Sequence, residues 1–162
     1  MTLWQRIAAR IGAHRFARVF GFYPPYLGAG IRVTRADQRL REIEVELRLR
    51  PWNRNYVGTH FGGSLYSMCD PFYMLMVMEN LGPAYVVWDK SATIDFLKPG
   101  RGRVRARFEL TDDQLARIRH DLEHDGKAYP NFEVTVRNEA GEAVARVGKI
   151  LSVRKRQERL RG

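Results

Sequence analysis

The chain has 162 residues, of which 44% are hydrophobic and 11% aromatic. That is enough for one domain with its own core and excludes a disordered chain. A formal net charge of +10 points either to a polyanionic partner (nucleic acid, an anionic membrane or a phosphorylated ligand) or to an arginine-rich solvated surface, and the one cysteine, Cys69, excludes an internal disulfide and a cysteine-built zinc site. One cysteine fits a reducing compartment, so a cytoplasmic location is expected.

Residues 1–25 read as a helical extension. Over residues 2–11, Trp4, Ile7, Ala8 and Ile11 form an apolar stripe with Arg6 and Arg10 opposite, which predicts a short amphipathic helix. Gly12 and Arg15 interrupt the stripe, Phe16, Val19 and Phe20 make a second apolar set, and Pro24 and Pro25 are expected to end any helix. The segment suits a lid packed on the domain, with a basic helix on a membrane surface as the alternative. Its arginines leave no continuous apolar stretch for a secretory signal.

Residues 26–155 read as a single domain. Over residues 40–50, Ile43, Val45, Leu47 and Leu49 alternate with Glu42, Glu44, Glu46, Arg48 and Arg50, the period of a half-buried strand. A strand near residues 29–34 pairs with it across the polar turn 35–38.

Residues 55–81 carry the most information. A turn bearing Asn55, Gly58, Thr59, His60, Gly62 and Gly63 opens into a helix over 62–81 that is apolar almost all round and therefore buried. Asp70 is the one carboxylate between Gly63 and Glu79. Burying a carboxylate is costly unless it is paired, so Asp70 marks either a functional site or a structural ion pair. Pro71 removes the hydrogen bond to the Ser67 carbonyl and predicts a kink beside Asp70, or a later helix start. The apolar run 72–78 is shorter than the ~20 residues that span a bilayer.

Four strands are expected to follow, over 85–97, 103–110, 128–138 and 143–154. A surface helix over 111–126 separates the second from the third, opened by the capping pair Thr111 and Gln114. Arg101, Arg103, Arg105 and Arg107 share one strand face, either to meet phosphates or as a solvated face. Residues 156–162 form a basic, frayed tail. The whole is an α+β architecture in which about six antiparallel strands wrap one long helix, with an outer strand edge that a second subunit would cover. His120 and His124 lack partners at zinc-ligand spacing, no phosphate-binding glycine loop appears, Ser64 lies in no nucleophile elbow, and Cys69 reads as a small core residue. No metal or redox cofactor is expected.

The pattern Asn55-x-x-Gly58-Thr59-x-x-Gly62-Gly63, with Asp70 seven residues after Gly63 and a later strand ending Ile94-Asp95-Phe96-Leu97-Lys98-Pro99, resembles the hotdog-fold thioesterase superfamily. It is similar to the phenylacetyl-CoA type of acyl-CoA thioesterase and closer still to the branch labelled only as a domain of unknown function, DUF4442. The resemblance covers roughly residues 31–155. It implies a hotdog fold and a dimer, or dimer of dimers, whose sheets join with active sites at the interface. It implies hydrolysis of an acyl-CoA or related thioester, with Gly62 as oxyanion donor, Asp70 from the partner subunit as general base or nucleophile, and Asn55 orienting water or substrate. Thr59, His60, Phe61, Gly63 and Lys90 fall at substrate-binding positions.

Two positions depart from the pattern. Phe61 stands where the superfamily has a histidine before the two glycines, with His60 one residue earlier, and a one-residue shift at a helix start turns a side chain by ~100°. The Ser or Thr expected on the next strand falls near Asp89 and Lys90, where Lys90 is expected to pair with Asp70 or Asp89. The lost histidine favours a rival reading, an acyl- or lipid-binding domain without catalysis. Nucleic-acid binding is not expected, because the alternating arginines lack interleaved aromatics, and peripheral membrane contact stays open.

Overall fold

The computed structural model describes residues 19–156 together with Gly12 and Arg15. The helix expected over 2–11 and the tail 157–162 lie outside the described residues. The elements in chain order are α1 (Pro24–Ala29), β1 (Ile31–Ala36), β2 (Glu42–Arg48), α2 (Gly62–Ser67), α3 (Phe72–Leu81), β3 (Tyr85–Phe96), β4 (Arg103–Glu109), α4 (Asp112–Asp125), β5 (Lys127–Ala128), β6 (Asn131–Asn138) and β7 (Ala143–Lys155). The strands form one antiparallel sheet in the order β1-β2-β4-β6-β7-β3, and β5 pairs with β7 off that path. This is the hotdog architecture, a sheet curved around a central helix. The seventh strand arises because Pro130, which has no N–H, divides β5 from β6. No helix among the described residues is long and apolar enough to cross a membrane.

One local expectation is extended and another corrected. A single 3₁₀ turn, Phe20–Phe22, ends before Pro24, and Pro24 and Pro25 then open α1. Proline costs nothing at the first helical position, where the N–H has no partner within the helix anyway. Alternation assigns Glu46 to the solvent face, yet it is only 8% exposed. Three guanidinium groups cover it, with Arg48 Nε 2.8 Å from Oε1, and Arg103 and Arg105 Nε 3.5 and 3.3 Å from Oε2. Arg107 pairs with Glu42 at 3.2 Å. The arginine stripe of β4 is thus occupied by the glutamates of β2.

The inward faces of the strands, among them Val45, Leu47, Val104, Phe108, Val136, Val147 and Leu151, enclose Leu65, Met68, Phe72, Met76 and Val77 of the central helix. Tyr73 stacks on Phe132 with ring centres 4.4 Å apart, and Phe72 meets Phe108 at 5.1 Å. The capping pair forms as expected, Gln114 N donating to Thr111 Oγ1 at 3.2 Å and Thr111 N to Gln114 Oε1 at 2.9 Å.

The central helix is broken between Ser67 and Phe72, where the sequence predicts a kink. The break leaves carbonyls without helical donors, and buried carbonyls require partners. Tyr26, buried on α1, shares its hydroxyl proton between the Ser67 carbonyl at 3.0 Å and the Asp70 carbonyl at 3.2 Å. Tyr26→Phe keeps the ring and removes this clamp. It should destabilise the fold by roughly 1–3 kcal/mol in urea unfolding, the usual cost of a buried unsatisfied carbonyl; unchanged stability would show that the break does not need the hydroxyl.

The loop entering α2 is fixed by His60, which is 3% exposed. Its backbone N–H donates to the Gly100 carbonyl at 2.9 Å, and Nε2 faces the Gly102 carbonyl at 3.2 Å and so carries the ring proton. Nδ1 is buried without a partner. Burial lowers the pKa of His60 below its ordinary 6.5, partly opposed by the bond to Gly102. The neutral ring therefore contributes its full stability above 6.5, and that contribution is lost as the pH falls from there toward the folded-state value, because the unfolded chain takes up a proton that the folded chain refuses. Between about pH 7 and about pH 5, wild type should lose stability relative to His60→Phe; a difference independent of pH would contradict the assignment.

Candidate active site

The turn before α2 is built by Asn55. Its Nδ2 donates to Thr59 Oγ1 at 2.8 Å and to the His60 carbonyl at 3.2 Å, and its Oδ1 accepts from Thr59 N at 2.9 Å. Both amide hydrogens are consumed locally, so Asn55 shapes the turn and has no donor left to orient water. Thr59 and His60 are buried in the same loop, and all three residues line the cleft that runs past Gly62.

Two phenyl rings close on the first turn of α2. A Cβ on Gly62 would stand 2.9 Å from Phe96 Cζ, and one on Gly63 would stand 2.4 Å from Phe61 Cε1. Only glycine admits both rings, and the first N–H groups of the helix, as at any helix start, have no helical partners. Phe61 is 56% exposed. With His60 turned into the protein, Phe61 holds the place before the glycines. A cleft runs past Gly62 between Leu65, Phe96 and Leu97, with Lys98 and Arg101 on its border. Lys98 is engaged by Glu142 at 2.6 Å, whereas Arg101 has no carboxylate partner among the described residues.

Asp70 lies at the helix break, its side chain 43% exposed. The expected partner, Lys90, is not there: its ammonium sits 4.1 Å from the centre of the Tyr129 ring. The irregularity in β3 between Asp89 and Ser91 separates Asp89, opposite the buried Leu151, from Lys90, which is exposed. The cation beside Asp70 is instead Lys149 of β7, which is completely buried. Its Nζ lies 2.7 Å from Asp70 Oδ1, 3.1 Å from Asp89 Oδ1 and 3.4 Å from Tyr66 Oη. Burial disfavours the ammonium, but bonding and attraction to Asp70 and then Asp89 prevail, so the pKa of Lys149 is raised and the group stays charged. Burial, reinforced by Asp70, also raises Tyr66, and burial pushes the Cys69 thiol up to about 12, far from a reactive thiolate.

Sequence reasoning misses Lys149, although a signal for it exists. It belongs to the inward set Ala145, Val147, Lys149, Leu151 and Val153, where a lysine is as anomalous as an aspartate in the central helix. Within one chain, Asp70 does not line the cleft at Gly62. Both border β3: Asp89 stands near its start, and Phe96, over Gly62, at its end. Among the described residues no three His, Cys, Asp or Glu side chains converge as metal ligands.

The fold recurs in solved structures. A protein of unknown function from Pseudomonas aeruginosa superposes with a TM-score of 0.77 at 18% identity, covering 88% of this chain and 95% of its own. A thioesterase from Haemophilus influenzae matches with a TM-score of 0.66 at 15% identity over 91% and 94% of the two chains. A mutant of the phenylacetic acid degradation protein PaaI from Thermus thermophilus is 25% identical, with a TM-score of 0.55 over 81% of this chain and 98% of that one. Among curated proteins no sequence matches this chain. Residues 12–153 match the family described as Domain of unknown function (DUF4442), so nearly the whole chain is accounted for: it belongs to the DUF4442 family and has the hotdog fold.

Proposed function

We propose that this protein hydrolyses an acyl-CoA or related acyl thioester at a site completed by a second copy of the chain. The observation that carries the reading is Asp70. It is a half-exposed carboxylate with one oxygen held by Lys149, while Oδ2 takes no donor among the described residues. Such a group can accept a proton from water. The neighbours in fold include a thioesterase, which supports the same chemistry.

The second copy is proposed to join along β3, which among the described residues pairs only with β7 and leaves its other edge, twelve residues long, open. Asp89 and Phe96 are roughly 23 Å apart along that strand, at ~3.3 Å per residue. An antiparallel pairing about a two-fold axis between Ala92 and Thr93 sets Asp89 opposite the partner's Phe96. Asp70 of one chain then faces the cleft at Gly62 of the other. Water deprotonated by Asp70 attacks the thioester carbonyl. The N–H of Gly62 stabilises the oxyanion, and collapse of the tetrahedral intermediate expels the thiolate. Leu65, Phe96 and Leu97 bound the acyl group, and Arg101 attracts the coenzyme A phosphates. The residues at the site supply this chemistry without a metal or redox cofactor. A cytoplasmic location fits the single buried cysteine.

Phe61 in the motif histidine position favours a second reading, acyl binding without turnover. Thiol release from a panel of short, long and aromatic acyl-CoAs tests both. Wild type should turn over at least one class, and Asp70→Asn should lose roughly 10²- to 10⁴-fold in kcat with the fold intact. Turnover that survives this substitution would remove Asp70 from the mechanism, and none in wild type would leave the binding reading. Phe61→His should raise turnover if the ring merely displaces a histidine; unchanged or lower turnover would show that the phenyl group belongs to the acyl pocket.

A further inference from the structure

Lys149 does not serve the core. The other inward residues of β7 are apolar, and an apolar side chain at 149 would avoid desolvating a charge. Nor does Asp70 need a buried cation, since it already faces solvent on one side. The asymmetry is the informative feature: a fully buried ammonium lies on the core side of a half-exposed carboxylate. From the geometry we infer that Lys149 is a positioning residue that fixes the Asp70 carboxylate by one oxygen and turns the other toward the substrate, with Asp89 sharing the ammonium. The inference rests on the thioesterase reading above.

Three oxygens surround the ammonium: Asp70 Oδ1 and Tyr66 Oη accept hydrogen bonds from it, and Asp89 Oδ1 lies 3.1 Å away as an ion pair. The tie at Oδ1 leaves the lone pairs of Oδ2 available, which a general base requires. Asp89 has its own part. Its carboxylate lies 3.1 Å from the same ammonium, so the charge of Lys149 is shared between Asp89 and Asp70. The titratable and charged groups facing the cluster are Tyr66, Cys69 and Asp70 from the central helix, Asp89 from β3 and, behind Asp70, Tyr26 of α1.

The test compares kcat, KM and the pH profile of thiol release for wild type, Lys149→Met and Asp89→Asn. Lys149→Met should lower kcat by about 10²-fold, the scale of a misplaced catalytic group, with little change in KM. Its acid limb should move to higher pH, while that of Asp89→Asn should move to lower pH. Opposite displacements follow from shared charge and not from packing. Should Lys149→Met fail to fold, Asp89→Asn retains the Lys149–Asp70 pair and still reports the downward shift. Wild-type turnover with superimposable pH profiles, or with KM alone affected, would overturn the inference while leaving the thioesterase reading standing. Absence of turnover in wild type would overturn both.

Discussion

The break in the central helix is the constraint on which the site depends. Pro71 has no N–H to give to the Ser67 carbonyl, so a continuous helix from Gly62 to Leu81 would bury an unsatisfied acceptor. The chain resolves this with two helices and a hydroxyl from outside them: Tyr26 of α1 bonds the carbonyls of Ser67 and Asp70. The turn so held carries Asp70, whose side chain emerges half-exposed from an otherwise apolar element. Without the break, Asp70 would sit on a regular helix whose neighbouring positions Met68, Cys69 and Phe72 are wholly buried.

The same economy governs the charges. A net charge of +10 suggests a surface waiting for an anion, but the arginines of β4 lie across the glutamates of β2. Arg105 and Arg107 are themselves open to solvent, which screens their pairs and limits the stability each contributes. Their effect here is to leave few free cations near the cleft, with Arg101 on its border. Lys149 differs in kind. It is buried, it stays charged because two carboxylates hold it, and it connects β7, β3 and the central helix at one point.

The fold was legible from period and punctuation. Alternation over Ile43, Val45 and Leu47, the capping pair Thr111 and Gln114, and the apolar run after Gly63 each depend on neighbours in sequence, and each formed as read. Other features have two sides. Pro24 and Pro25 follow the end of one helical turn and open the next. Asn55 and His60 suit a ligand site by type; their hydrogen bonds run to the loop and to Gly102, and both side chains also line the cleft at Gly62.

By itself the sequence determined the layers of this protein, the buried helix, the kink at Pro71 and the presence of a carboxylate that an apolar segment would not hold without cause. These follow from covalent geometry and from the segregation of apolar from polar residues along a few turns of chain. Tertiary structure alone decided which cation meets that carboxylate. Lys90 lies twenty residues beyond Asp70 and Lys149 lies seventy-nine beyond it, yet the distant lysine is the partner. The reason is the irregularity in β3, which separates Asp89 from Lys90, while the pairing of β7 beside it carries Lys149 beneath the helix break. Contacts of that separation depend on which strands become neighbours and in what register, and the residues around Asp70 in sequence do not determine either.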